Sequence, residues 1–555
     1  MTVFWERLGL LVFVGLYLVI FNVNVPHGDA LRIARQIAAS ELIWNPNHLL
    51  LDPFGYFWHS LLQALGSNIS VLGGFELISA LSTLLSLLLF HKILLRLQVK
   101  SSGIRLLALL GLFASKNFLS MAVSQYFFMM QMPFLLATLY FAIRFVQHTR
   151  QHKDASTSLY AMGVCMALAT AIEMNNLVPV IFLGFVLAYM QTAEKPWNVN
   201  NTLKFWGAAA LVGFPIFISG YIAADTDSGF ISWLLAYQGE SNSSLDSYYG
   251  TRMNLTSIVT SSASLVFHLF FGNFIETAGL GTVVKVLVLQ QPLEFIPDTS
   301  KLILAGLLMP VVGISLLLLF IWSIRHARQV YMVRLGLVWI IAYLVFNFFW
   351  PYTSDLFWFQ LLPLIWLLLI IHLGVTQEYS EDPNQRRPGL RQWKMVLLSV
   401  TVVSLLVLNT LQTVKPIAMA DMEGNSLQHQ SLLQEHDMEI VPGWDNYKWM
   451  MQDNGETSVN KLLLMNMALK TDTDPLHIKN LPQLVGEHLN GGHRVIVGRL
   501  YARDRESNPW SGLSDLGWPR SKIQMLLEDF CRRPLGKIDD VEFHELYLCQ
   551  APNPG

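Results

Sequence analysis

Charge is scarce in this chain: Asp, Glu, Lys and Arg make up 14% of its 555 residues. Soluble domains carry about 25% charged residues, so so low a share over such a length points to helices that face lipid. The few charges nearly cancel, to a formal net of −2. Without a basic surface to neutralise phosphates, nucleic acid is excluded as a partner. Cysteine is almost missing: Cys165, Cys531 and Cys549 show no C-x-x-C spacing of a metal or redox site. No internal repeat or low-complexity tract is evident either. What the chain has in quantity is apolar. Hydrophobic residues are 53%, with 16 Trp and 33 Phe, and the mean hydropathy is +0.42. Aromatic side chains in such numbers suit the two membrane–water interfaces.

A helix needs about 20 apolar residues to cross the hydrocarbon core. Runs of that kind fall near 8–25, 70–95, 104–122, 126–146, 157–173, 177–192, 205–223, 302–323, 335–350, 356–375 and 395–414. The reading is therefore an all-α polytopic membrane protein with about eleven spans. The first run is long, and Asn22-Val23-Asn24-Val25-Pro26 is a poor cleavage site, so it reads as an uncleaved span. The 52–66 stretch is apolar but short and opens on Asp52-Pro53, which suits a re-entrant or interface-lying helix.

Loop charge orients these spans. Connections on one side, with Arg7, hold 17 Lys and Arg, while the longer connections on the other side hold 6: Arg32, Arg35, Lys116, Arg252, Lys285 and Lys301. The positive-inside rule puts the N-terminus in the cytoplasm, and an odd span count then puts residues 416–555 outside. Residues 1–415 form the membrane domain, with large outer loops at 26–69 and 224–301. In the first of these, Leu31, Ile33, Ala34, Ile37 and Ala38 lie along one helical stripe, with Arg32, Arg35 and Gln36 off it. That pattern predicts a helix lying in the interface.

After Lys415-Pro416 the apolar runs shorten and strand-like and helix-like segments alternate, which predicts a small soluble α/β domain. His493 to Gly498 reads as a buried strand entered through Gly491-Gly492, Glu542 to Leu548 as a terminal strand, and Lys522 to Phe530 as a helix. This domain has no G-x-G-x-x-G and no P-loop. Cys531 and Cys549 are 18 residues apart in it. They could pair across an oxidising boundary, or stay separate, since spacing alone does not fix the geometry.

The stretch richest in chemistry is the first outer loop, Pro26-His27-Gly28-Asp29-Ala30 and then Asn45-Pro46-Asn47-His48-Leu49. A carboxylate at Asp29, next to the interface, is partly desolvated and can accept a proton from an incoming hydroxyl. Asp29 can equally cap the helix-like 30–39 stretch, and the two roles coexist. His48 can bind a phosphate or orient the carboxylate, or simply sit at a helix start. Asp225-Thr226-Asp227 has the spacing of a metal-binding D-x-D, although a polar loop start explains it as well. Glu173 falls at an outer turn beside Asn175 and Asn176, and His268 lies in an apolar run. The triplets at Asn68, Asn242 and Asn254 match glycosylation sequons, which carry no meaning in a bacterial protein.

An Asp directly after span one, an interface helix, and an Asn-Pro-x-His-Leu-Leu turn into an apolar helix together resemble the GT-C glycosyltransferases. Within these the chain is similar to the group of protein O-mannosyltransferases and aminoarabinose transferases. Trp350-Pro351-Tyr352-Thr353-Ser354-Asp355 and the Leu361-Leu362-Pro363-Leu364 helix also resemble that group's late outer loop. The resemblance implies an enzyme of the outer membrane face that takes a sugar from a polyprenyl-phosphate carrier, most simply in the inner membrane of a bacterium. Asp29 would be the base, and His48, Lys116, Arg252 and Lys285 would be the candidates to hold the lipid phosphate; an interfacial cation reaching headgroups is the plainer reading of each. One departure matters. Several family members carry a paired acidic motif in the first loop, whereas here Glu41 is twelve residues past Asp29, so a tightly held divalent metal there is poorly supported. A flippase for lipid-linked glycans would show internal repeats, and a polysaccharide polymerase or ligase would place its key residues at Arg252 and His268. A receptor built on the outer domain is the remaining alternative.

Overall fold

The structure, a computed structural model, describes chiefly residues 2–21, 44–124, 127–190, 199–235, 299–327, 336–343, 359–374, 388–411, 428–441, 460–469, 474–498, 518–538 and 541–549, with a few single positions missing from these runs, and isolated positions at 30–42, at 270 and at 500. Its helices are α1 (Thr2–Ile20), α2 (Leu51–Ala64), α3 (Val71–Arg96), α4 (Ser102–Ala114), α5 (Lys116–Val123), α6 (Gln131–Arg150), α7 (Ser156–Ile172), α8 (Leu177–Met190), α9 (Val199–Ala223), α10 (Thr299–Ala327), α11 (Leu362–Gly374) and α12 (Pro388–Asn409). Five helical stretches among the described residues are long and apolar enough to cross a membrane, or six if the bent α4–α5 pair is one span. Four shorter apolar helices fall at the expected spans 157–173, 177–192, 302–323 and 356–375. The protein is an integral membrane protein.

Helices in lipid gain nothing from hydrophobic segregation, so close packing and interhelical hydrogen bonds hold them together. The α7–α9 contact shows the first device: a Cβ on Gly163 would lie 2.4 Å from the Phe205 carbonyl oxygen. Only glycine lets the two backbones approach that far. The second device appears where the expected 104–122 span breaks. Its two halves, α4 and α5, meet at 69°. The break frees backbone carbonyls that cannot be left bare in a membrane. Ser115 Oγ donates to the Gly111 carbonyl at 2.8 Å, and Asn409 Nδ2 donates to that of Ala114 at 2.7 Å. Trp366 Nε1 donates to the same serine at 2.8 Å.

Helix α2 behaves as an interface helix. It buries Leu51, Asp52, Gly55 and Leu62 and leaves Tyr56, Phe57 and Leu61 exposed, while Trp58 Nε1 donates to the Gly74 carbonyl of α3 at 3.1 Å. Of the stripe expected in the preceding segment, Ile33, Ala34 and Ile37 are buried, as is Ala30 before them, while Leu31 and Ala38 lie outside the described residues.

The C-terminal part is a five-stranded mixed sheet of order β2-β1-β3-β5-β4, with β1 (Met438–Val441), β2 (Asn460–Leu463), β3 (Val495–Gly498), β4 (Phe530–Ile538) and β5 (Val541–Leu548). Strands β1 and β3 pair in parallel and are buried at every position, as expected of strands covered on both faces. Helices α13 (Leu481–Asn490) and α14 (Arg520–Leu526) lie between the strands in sequence, and Leu481, Val485 and Ile523 join Ile440, Val495, Val497 and Leu546 in one core. The expected strands at 493–498 and 542–548 are present. The helix expected over 522–530 ends at Leu526, because Phe530 opens β4 and pairs with Leu548. Cys531 and Cys549 form a disulfide that closes this hairpin, with Cα atoms 4.9 Å apart.

Two histidines of the sheet region make it acid-labile. Burial pushes the His488 imidazole below its usual range, and the nearby His493 ring acts in the same direction against the opposing bond to the His436 carbonyl. Burial also lowers His544. An unfolded histidine titrates near about pH 6.5, so the unfolded chain takes up these protons first as pH falls. Stability is therefore complete above that pH and declines below it. Calorimetry of the purified full chain is expected to show the sheet unfolding at a lower temperature at pH 5 than at pH 8, with a flatter dependence in His488→Gln.

Candidate functional site

The first outer loop is held by a turn rather than by a long element. Pro46–His48 forms one turn of 3-10 helix leading into α2, closed by the His48 amide donating to the Asn45 carbonyl at 3.0 Å. The next residues are fastened to the end of α7, where the Leu50 amide donates to the Ala171 carbonyl at 2.9 Å. Helix α7 stops at Ile172, and Glu173 follows in extended conformation before a second short turn, Met174–Asn176. His48 Nδ1 lies 2.8 Å from Glu173 Oε2. The imidazole also stands edge-on to Phe128, with ring centroids 5.2 Å apart.

Behind Glu173 lies a buried set of amides. Asn176 Nδ2 donates to Gln131 Oε1 at 2.7 Å and to the carbonyls of Ala169 and Glu173 at 3.0 Å each. Gln360 Nε2 donates to Gln131 Oε1 and to Asn175 Oδ1, both at 3.2 Å. The Tyr343 hydroxyl donates to Asn176 Oδ1. Gln131, Asn175, Asn176, Tyr343 and Gln360 are all buried. Hydrogen bonds strengthen in so dry a setting and make the arrangement specific. The turn carrying Glu173 is thereby tied to the start of α6, to the helical 336–343 stretch and to the Phe359–Leu361 turn ahead of α11.

Of the residues singled out in the sequence, Asp29, Arg252, Lys285 and His268 lie outside the described residues, as do Glu41 and the Trp350–Asp355 stretch. His48 is described and is brought against Glu173. Lys116 is not on an exposed outer loop: it opens α5 at the α4–α5 break and is buried among helices, 3% exposed. Asp225 and Asp227 stand exposed just past α9, Asp225 in the left-handed region at φ 44°. Among the described residues no group of three His, Cys, Asp or Glu side chains is placed to hold a metal ion. Glu173 and the amides are what sequence reading undervalued. The signal was there, since Glu173, Asn175 and Asn176 form a polar triplet between two apolar runs, but their partners Gln131, Tyr343 and Gln360 are far away in the chain.

No protein-family model matches the sequence, and no curated protein does. Solved structures do match in fold. ArnT from Cupriavidus metallidurans bound to undecaprenyl phosphate aligns over 97% of this chain and 97% of its own, at 10% identity and a TM-score of 0.52. The Archaeoglobus fulgidus oligosaccharyltransferase in complex with Zn and sulfate aligns over 94% of this chain and 71% of its own, at 11% identity and a TM-score of 0.53. The chain thus shares its overall fold with these two structures.

Proposed function

We propose that this chain is a glycosyltransferase that moves a sugar from a polyprenyl-phosphate carrier to an acceptor on the outer face of the membrane. The observation that carries the reading is the whole-chain match in fold to ArnT, a structure that holds undecaprenyl phosphate. The expectation of a catalytic Asp directly after the first span fits it. In this reading Asp29 takes the proton of the acceptor hydroxyl or amine. His48, Lys116, Arg252 and Lys285 are the groups available to the carrier phosphate, and arginine is favoured in principle because it grips phosphate through two bonds. Divalent metal remains a proposal without a defined ligand set: the oligosaccharyltransferase structure contains Zn, while Asp225 and Asp227 are exposed here and, among the described residues, are not joined by a third His, Cys, Asp or Glu.

The domain boundary is placed near residue 415, with the membrane domain before it and the sheet domain after it, outside. The disulfide favours that side, because such bonds persist in oxidising compartments. A plasma-membrane location in a bacterium, with the N-terminus in the cytoplasm, completes the proposal. One consequence is simple to check. In membranes from expressing cells, Cys531 and Cys549 are expected to resist maleimide until a reductant is added. Immediate labelling of both would place the domain inside.

The reaction itself is tested in membranes supplied with polyprenyl-phosphate-linked sugars, following transfer of radiolabelled sugar and release of the carrier phosphate. Transfer from at least one donor is expected. No transfer from any such donor, with the protein folded and inserted, would overturn the proposal.

A further inference from the structure

Helix α9 carries a buried glycine, Gly220, within one turn of its C-terminal end. Glycine inside a helix is costly beside alanine, so a contact that needs it is to be looked for. That contact is with the first outer loop. A Cβ on Gly220 would overlap Leu49 Cδ1 and stand 3.1 Å from both Cγ and Cδ2 of the same side chain. A rotation about χ2 moves the methyls but leaves Cγ where it is, and at 1% exposure Leu49 has no open direction to turn into. Only a residue without a side chain lets Leu49 sit on the helix at this point. The next residue is fixed by other means, since the Leu50 amide donates to the Ala171 carbonyl of α7 at 2.9 Å. The loop thus meets a steric stop on α9 and a hydrogen bond on α7, one residue apart.

The earlier part of the loop is seated in turn on α2, which starts at Leu51. A Cβ on Gly55 would lie 2.8 Å from Ile37 Cδ1 and 2.9 Å from Phe75 Cε1. Ile37 belongs to the buried stretch that begins at Ala30, one residue after Asp29. Position therefore passes from α9 to Leu49, from there to the start of α2, and from Gly55 to the segment that follows Asp29. Gly220 is the more selective of the two glycines. Filling Gly55 also disturbs Phe75 of α3, whereas the atoms nearest a Cβ at 220 all belong to Leu49.

We propose that Gly220 is a positioning residue for sugar transfer: by seating Leu49 it sets the place at which the first outer loop holds Asp29. The proposal rests on the transferase reading, with Asp29 as the base. A base must stand within hydrogen-bond reach of the proton it takes, and a shift of about 1 Å made far from the chemistry costs about a hundredfold in rate. A methyl added at 220 pushes on Leu49, and the loop is the partner that yields. Helix α9 is itself held against α7, where Gly163 meets the Phe205 carbonyl without slack.

The test uses the full chain in nanodiscs, as wild type, Gly220→Ala, Leu49→Ala and the two together, each with and without Asp29→Asn. Gly220→Ala is expected to lower kcat about a hundredfold while unfolding close to the wild-type temperature, because alanine favours the helix and offsets the lost seat. Leu49→Ala opens a hole on the other side of the same contact and is expected to lower kcat as well; it keeps the test open if Gly220→Ala does not insert. In the double variant the methyl at 220 takes up part of the space that Leu49 gave up, so kcat is expected to return to within about tenfold of wild type. Asp29→Asn supplies the reading that a merely structural glycine would not move. With the base gone its misplacement costs nothing more, so adding Gly220→Ala to Asp29→Asn is expected to change kcat by less than about threefold. A structural loss would multiply the two effects. Wild-type kcat in Gly220→Ala, a double variant no faster than Gly220→Ala, or multiplied losses would each overturn the positioning role while the transfer by wild type stands. Wild type that transfers from no polyprenyl-phosphate donor overturns the transferase reading, and the positioning role with it.

Discussion

Asp29→Asn is expected to lower sugar transfer by about 10²- to 10⁴-fold, the share that a positioned general base supplies, with expression and thermal stability close to wild type. The substitution separates the two roles that the sequence allows. Asparagine caps a helix about as well as aspartate does, so a change through capping alone would leave both stability and transfer nearly intact. The residues that follow give the position its meaning: Ala30, Ile33, Ala34 and Ile37 are buried, and a Cβ on Gly55 would meet Ile37 Cδ1 at 2.8 Å. The segment starting one residue after Asp29 is therefore docked against α2. Asp29→Ala, which removes cap and base together, is expected to lose transfer and also about 1 kcal/mol of stability. Initial rates with the donor found active for wild type, set beside thermal unfolding of the same preparations, decide between the roles. Unchanged transfer in Asp29→Asn would reduce the residue to a cap and move the search for a base to residues 224–301.

What the sequence disclosed and what it hid divide along a physical line. Features set by local periodicity were legible. The 31–38 stripe, the interface character of α2 and the strands over 495–498 and 541–548 all follow from which residues alternate with which. Features set by partners distant in the chain were not. Hydropathy runs unbroken through Phe113, Ala114 and Ser115, so nothing local announces the 69° bend there. It is Trp366 and Asn409 that satisfy the break. Glu173 looked like a charge cheaply placed at a turn, because its value depends on His48 from another loop. The helix expected over 522–530 had the right pattern as far as Leu526 and then lost to strand pairing, since β5 offers the chain from Phe530 to Ile538 a ladder that local propensity cannot match.

Arg105→Met is expected to cost about 3–5 kcal/mol of stability, the penalty for removing one partner of a buried ion pair. Glu6, Leu10, Val14 and Tyr17 form the buried stripe of α1. Its two polar members carry the long-range bonds: Tyr17 shares a 2.7 Å hydrogen bond with the Thr410 hydroxyl, and Glu6 is gripped by Arg105. The guanidinium donates to both carboxylate oxygens, from Nε at 2.9 Å and from Nη2. His91 Nε2 lies 2.9 Å from the same carboxylate, and Arg7 Nε donates to His91 Nδ1 at 3.2 Å. Arg105 Nη1 also donates to the carbonyls of Val99 and Lys100, so the cluster closes the α3–α4 turn onto α1. Lysine cannot copy this fork, and Arg105→Lys is expected to recover little. The control is Glu6→Gln with Arg105→Met. Removing both charges leaves no lone ion in an apolar setting, so the double variant is expected to be more stable than Arg105→Met alone, a coupling that a double-mutant cycle measures directly. Additive losses would mean that the pair is solvated and does not hold α1. Because α1 leads through the next eight residues to Asp29, a protein whose α1 is released at its N-terminal end is also expected to transfer sugar more slowly, and the double variant to regain part of that rate.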